Sequence, residues 1–220
     1  MNTQTKADVL VIDIRYWYKG SIKMKTLGKI LIAIGILGAL VIAGRALFYA
    51  PNDVAEDSGL QVTGSAINSV TPKQLPTRLL IPKLGIDTKV QHLGVTKTGN
   101  MAAPNNFTDV SWYKFGTVPG QLGSSVIAGH VDNALGTPAI FYNLKDLEVD
   151  DDVYVTDASG KKLHFKVFDK QVYQYDKAPA EKIFNDKSGK YLNLITCQGE
   201  WVPAAKSAKY RLVVYTKLVE

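Results

Sequence analysis

Cys197 is the single cysteine of the sequence, and it ends the apolar run Leu192-Asn193-Leu194-Ile195-Thr196. A lone thiol forms no intramolecular disulfide, and a strand end is where reactive groups are displayed. A cysteine nucleophile needs a proton-transfer partner. His130 ends a second apolar run, Val126-Ile127-Ala128-Gly129, and Gly129 beside it permits close backbone packing. His92 and His164 fall inside strands, on the polar side of an alternating pattern, and read as surface residues. Acyl transfer also needs a group to stabilise an oxyanion. Four arginines are present, Arg15, Arg45, Arg78 and Arg211. Arg211 opens the run Leu212-Val213-Val214-Tyr215, 14 residues after Cys197. That spacing allows an antiparallel return beside the thiol. Thiol, imidazole and guanidinium together suit acyl transfer by a cysteine nucleophile. From the residues alone, a buried inert cysteine and a surface ion-pairing arginine stay open.

These groups must be held by strands. Short apolar runs separated by turn residues predict strands over residues 78–81, 89–93, 125–129, 153–156, 162–173, 191–196 and 211–218. Leu163, Phe165 and Val167 alternate with His164 and Lys166, the period of a half-buried strand. Asp157-Ala158-Ser159-Gly160 predicts a hairpin turn. Residues 138–144 and 180–184 read as short helices or turns. The spacing predicts a mainly β domain of about 145 residues, a small barrel or sandwich.

The composition is 46% hydrophobic and 21% charged, which excludes a disordered chain and a multi-span membrane protein. One cysteine and three histidines leave little for a metal site. The Asp150-Asp151-Asp152 run reads as a solvated turn, since no further ligands stand at suitable spacing. The net charge is +6, but residues 1–50 hold +5 of it and the rest only +1. The main domain therefore has no basic stripe for nucleic acid. Gly116 and Gly120 flank a turn around Val118-Pro119 rather than a phosphate loop.

The N-terminal basicity has another meaning. Residues 30–44 carry no charge, and the apolar stretch runs on past Arg45 to Ala50. As a helix, residues 30–50 span about 31 Å, close to a bilayer core. Arg45 is placed to snorkel, and Phe48 and Tyr49 suit an interface. Lys19, Lys23, Lys25 and Lys29 precede the run, and Asp53, Glu56 and Asp57 follow it. The positive-inside bias then predicts a cytoplasmic N-terminus (residues 1–29) and an external domain. Pro51 directly follows Ala50 and no small-x-small cleavage site is evident, which favours a retained anchor over a cleaved signal. The segment from Met24 reads as a natural start, so residues 1–23 are either a tail or precede the true start. Residues 51–76 are rich in Ser, Thr, Asn, Asp, Gly and Pro, a spacer leading to a domain over residues 77–220.

At these residues the chain resembles the sortase family of membrane-anchored cysteine transpeptidases. Leu194-Ile195-Thr196-Cys197 is similar to its nucleophile motif, Ile127-Ala128-Gly129-His130 to its histidine motif, and Tyr210-Arg211-Leu212-Val213-Val214 to its arginine strand. Arg78-Leu79-Leu80-Ile81-Pro82, Gly99-Asn100-Met101-Ala102-Ala103-Pro104, Trp112-Tyr113 and Pro119-Gly120-Gln121-Leu122-Gly123 look like class F, with classes E and D next. Gln198 departs from the glycine usual there, and the first threonine of the longer nucleophile motif is absent. The resemblance implies a closed eight-stranded β-barrel with short helices and a groove at one end. It implies that Cys197 attacks the threonine carbonyl of an LPxTG-like sorting signal, His130 moves the proton, and Arg211 holds the oxyanion or the substrate backbone. Thr196 is expected as a further substrate contact. The implied partners are surface proteins bearing such signals and an amine acceptor, from a lipid-linked peptidoglycan precursor or a pilin lysine. Hydrolysis is the implied side reaction, and neither a cofactor nor nucleic acid is implied.

Two rivals stand beside it. L,D-transpeptidases carry a serine-x-glycine-cysteine-arginine cluster that Thr196-Cys197-Gln198 lacks, and papain-like amidases normally place cysteine before histidine. A non-catalytic scaffold domain on a membrane stalk is the alternative outside enzymology.

Overall fold

A computed structural model describes residues 24–49, 71–203 and 207–219. The expected tail over residues 1–23 and residues 51–70 of the expected linker lie outside these. The chain divides into an N-terminal helical unit and a β unit.

Helix α1 spans Met24–Phe48. It starts six residues earlier than expected and takes Lys25 and Lys29 into its first turns. Its 25 residues correspond to about 37 Å. Leu31, Ile32, Leu37, Val41 and Ile42 are all exposed, so the helix is apolar on every side. The stretch Leu27–Arg45 is long and apolar enough to cross a membrane, which suggests single-pass anchoring.

The β unit is a closed eight-stranded barrel. Its strands are β1 (Pro76–Ile81), β2 (Ile86–Leu93), β3 (Val110–Tyr113), β4 (Gly123–Ala128), β5 (Asp152–Asp157), β6 (Lys162–Gln174), β7 (Lys190–Val202) and β8 (Ser207–Leu218). The order round the barrel is β1-β2-β3-β4-β7-β8-β6-β5, and β5 closes onto β1. The β2–β3 and β4–β7 pairs are parallel, and the others are antiparallel.

Alternation explains which face turns inward. Leu79, Ile81, Ile127, Val153, Val155, Phe165, Val167, Leu192, Leu194, Leu212 and Val214 fill the interior. The intervening residues of β4, β7 and β8 face outward, and there a second, smaller core forms. Val126, Val213 and Tyr215 pack with Ile183, Ile195, Tyr173 and Phe184. The π-helical turn Glu181–Asn185 covers them. Asn193 ties it down by donating from Nδ2 to the Ile183 carbonyl at 2.7 Å.

Most expected strands are present, with three differences. β3 was not anticipated. It has only four residues, and Val110, Ser111 and Trp112 are all buried, so no alternation betrays it. β7 continues past the expected end at residue 196 to Val202, and β8 begins at Ser207 rather than residue 211. Gln198-Gly199-Glu200 reads as a loop, yet the ladder resumes after a register shift between Gln198 and Trp201. Gly199, at φ 81°, supplies the conformation that such a bulge requires. Within 138–144 and 180–184, helical turns occur only at Leu144–Asp146 and Glu181–Asn185. The hairpin at Asp157 forms as expected. The Asp157 carboxylate accepts from the Ser159 and Lys161 backbone N–H groups at 2.8 and 3.0 Å.

Gly129, just beyond β4, sits where a Cβ atom would lie 2.6 Å from the Phe141 ring and 3.0 Å from Ile140. Phe141 is fully buried and has nowhere to move. Gly129→Ala should therefore lower the unfolding free energy by about 1–3 kcal/mol, measured by denaturant titration.

Candidate active site

The wall made by β4, β7 and β8 brings the expected residues abreast. On β7, Asn193, Ile195 and Cys197 share the outward face. Their direct partners on β8 are Tyr215, Val213 and Arg211. Opposed residues of an antiparallel pair project from the same face, so Cys197 and Arg211 are neighbours there. On the other side, Asn193 pairs with Val126 and Ile195 with Ala128 in the parallel ladder. Two contacts carry that register past the end of β4. The Gly129 N–H donates to the Ile195 carbonyl at 3.2 Å. The Thr196 hydroxyl donates to the Gly129 carbonyl at 2.8 Å. The next residue, His130, thus reaches the level of Cys197. The row reads His130, Cys197, Arg211 across three adjacent strands, with apolar Ala128, Ile195 and Val213 directly behind it.

The row projects from the outer face of the wall. One expectation is corrected: Cys197 sits within β7, just before the bulge, rather than at a strand-to-loop junction. Its thiol is half-buried and free.

His130 follows β4 and is held from behind. Its Nε2 lies 2.9 Å from the Pro104 carbonyl. A carbonyl only accepts, so Nε2 carries the hydrogen, and in the neutral ring Nδ1 is left with the lone pair. The Phe107 ring packs at 5.2 Å between centroids. Burial pushes His130 below the ordinary imidazole value, while the Pro104 bond and the Asp132 charge oppose that shift. The neutral ring therefore prevails at neutral pH, with Nδ1 able to accept a proton.

Arg211 is folded back along its own strand. Nη1 donates to the Ala208 and Tyr210 carbonyls at 3.1 and 3.0 Å, and Nη2 to the Ser207 hydroxyl at 2.5 Å. The guanidinium is thus held toward the turn of the β7–β8 hairpin, while the Arg211 backbone lies directly opposite Cys197. Thr196 is only 4% exposed and faces the barrel interior, its hydroxyl committed to Gly129. His92 and His164 stand apart from the row. His92 contacts the Pro76 carbonyl at 2.6 Å, and His164 pairs with Asp152 at 2.7 Å. Among the described residues, no group of three or more His, Cys, Asp or Glu side chains gathers to hold a metal ion.

Sequence reasoning did not find the setting of His130, namely Pro104 and Phe107, or Ser207 beside Arg211. A carbonyl acceptor leaves no mark in residue type, and the Gly99–Pro104 segment stood out only through a family resemblance.

Residues 79–219 match the family model of the sortase domain. Three solved structures share the fold. Sortase C-1 from Actinomyces oris is 22% identical, with 69% of this chain and 74% of that chain covered and a TM-score of 0.50. The pilus-related sortase C of Group B Streptococcus is 17% identical, with coverage of 77% and 79% and a TM-score of 0.52. The Pilus Island 1 sortase C2 of Group B Streptococcus is 20% identical, with coverage of 69% and 77% and a TM-score of 0.50. No curated protein matches the chain.

The setting of His130 has a consequence for stability. Its folded value lies below that of the unfolded chain, about 6.5, so the folded state binds fewer protons there. The contribution of the neutral ring is fully present above that pH and is lost as pH falls through it. The melting temperature of the wild type should fall as pH drops below about 6.5, and His130→Gln should flatten that slope.

Proposed function

The chain belongs to the sortase family, and from that premise we propose that it is a membrane-anchored cysteine transpeptidase acting on an LPxTG-like sorting signal. The observation that carries the reading is the row His130–Cys197–Arg211, set by the β4–β7 and β7–β8 registers.

In the first half-reaction, the Cys197 proton passes to His130 Nδ1 and the sulfur attacks the threonine carbonyl carbon. The carbonyl electron pair moves onto oxygen, where the Arg211 guanidinium donates to it. The tetrahedral intermediate collapses, the Thr–Gly C–N bond breaks, and His130 returns the proton to the departing glycine amine. A thioester on Cys197 remains. In the second half-reaction an acceptor amine attacks that thioester, His130 takes its proton, and the C–S bond breaks to restore the thiol. Water in place of the amine gives hydrolysis. Any contact of Thr196 with substrate runs through its main chain, because its hydroxyl is buried against Gly129.

The acceptor in this reading is an amine of a cell-wall precursor or a pilin lysine. Residues 30–50 form the anchor, 51–76 the linker and 77–220 the catalytic domain. The lysines before the apolar run support an orientation with residues 1–29 inside and the barrel outside. The class F-like segments make class F the preferred assignment.

The test incubates the full chain in detergent with an LPxTG-type peptide and triglycine or hydroxylamine, with mass spectrometry of the products. A threonyl-acyl product is expected with the wild type and none with Cys197→Ala. Turnover that persists without the thiol would remove Cys197 from the mechanism. Arg211→Lys keeps the charge and loses the planar fork, and a loss of ~100-fold or more in rate is expected. A wild-type rate would make Arg211 structural.

A further inference from the structure

Residues 99–104, Gly-Asn-Met-Ala-Ala-Pro, lead into a loop that ends at β3 and stands outside the His130–Cys197–Arg211 row. Its backbone is anchored at both ends. The Ala102 N–H donates to the Gly94 carbonyl at 3.0 Å, and the buried Ser111 hydroxyl donates to the Ala102 carbonyl at 2.9 Å. At the other end the Ile140 N–H donates to the Phe107 carbonyl at 3.0 Å. Between these ties lies the Pro104–Asn105 peptide group, and both of its polar atoms are used. The carbonyl accepts from His130 Nε2 at 2.9 Å. The N–H, on Asn105, donates to Gln91 Oε1 at 3.2 Å.

Gln91 lies on β2 and is itself fixed. Its Nε2 donates to the Asn105 side-chain oxygen at 2.8 Å and to the Asp109 carboxylate at 2.9 Å. The orientation of the amide follows from its partners, since a backbone N–H only donates and a carboxylate only accepts. Asp109 also accepts from Asn106 Nδ2 at 2.8 Å, and its backbone N–H donates to Asn106 Oδ1 at 2.7 Å. One chain of hydrogen bonds therefore runs from a carboxylate through an amide and a peptide group to the imidazole, with every donor pointing toward the carboxylate. Bonds arranged in this sense polarise one another, so the Asp109 charge and the Gln91 acceptor strengthen the Pro104 carbonyl as an acceptor.

We propose that Gln91 is a positioning residue for His130, acting through the Pro104–Asn105 peptide group with Asp109 behind it. The arrangement fixes the ring plane, keeps the hydrogen on Nε2 and leaves Nδ1 as the proton-accepting atom of the row. It rests on His130 being the proton-transfer group of the reaction proposed above. It also gives the Gly99–Pro104 segment a role, the delivery of one carbonyl to the back of the histidine. Other charged or titratable groups around His130 are Asp132 on its own loop, and Cys197 and then Arg211 across the wall.

The experiment follows the ring of His130 by NMR in the histidine-labelled full chain in detergent, assigned by its loss in His130→Gln. Gln91→Met, which keeps the volume and removes the acceptor, should lower the titration midpoint by about 0.3 pH units. Asp109→Asn should move it in the same direction. The double variant Gln91→Glu with Asp109→Asn moves the charge one link nearer the peptide, and should restore the midpoint to the wild-type value or above. In parallel, Gln91→Met should slow single-turnover acylation ~10-fold with KM little changed. A merely structural role would displace all three variants alike or none of them, and either result overturns the relay. Opposed displacements support it even if the wild type transfers no LPxTG-type peptide, so the two readings fail separately. Should Gln91→Met fail to fold, the Asp109→Asn variant and the double variant alone decide the outcome by the sign of their difference.

Discussion

The parallel pairing of β4 with β7 is the constraint on which the site depends. Without it, His130 and Cys197 are 67 residues apart on a flexible chain. With it, the Ala128–Ile195 register and the two bonds at Gly129 leave the histidine one residue further on, at the height of the thiol. A slip of one residue would turn the imidazole to the other face. Both bonds use backbone groups of Gly129, whose missing side chain makes room for Phe141. The hydroxyl of Thr196 acts from inside the barrel, so the residue before Cys197 serves the histidine on the neighbouring strand.

The antiparallel β7–β8 pair supplies the other half. Its register sets Arg211 directly opposite Cys197, and the hairpin extends far enough beyond them for Ser207 and two carbonyls to hold the guanidinium. The wall has two cores, one inside the barrel and one outside beneath the turn at Glu181–Asn185. The inner core fixes the registers of all eight strands. The outer core buries the part of the wall behind the row and stops at Ile195. The row thus sits where the covering ends.

Much of this was legible in the residues. The single cysteine, the histidine at a strand end and the arginine 14 residues after the thiol mark the row in the sequence itself. Seven of the eight strands announced themselves by apolar runs between turn residues. What stayed hidden has physical reasons. β3 is buried on both faces and has no period. The extension of β7 is built from Gln198, Gly199 and Glu200, polar residues whose strand character comes from pairing with β8 across a bulge. The outer location of the site depends on which parity of β7 faces inward, and Leu192 and Leu194 against Ile195 settle that only when the barrel closes. The support behind His130 comes from a proline carbonyl and a glutamine on a distant strand, and neither type advertises such a role.

The central claim is that the β4–β7 register sets the ring of His130 beside the thiol of Cys197. It is tested most directly by the pH dependence of Cys197 alkylation by iodoacetamide, followed by mass spectrometry in the wild type and in His130→Gln. The account predicts faster alkylation in the wild type than in the variant across neutral pH, because the ring takes up the thiol proton. Superimposable profiles would contradict it, because the ring would then not sense the thiol.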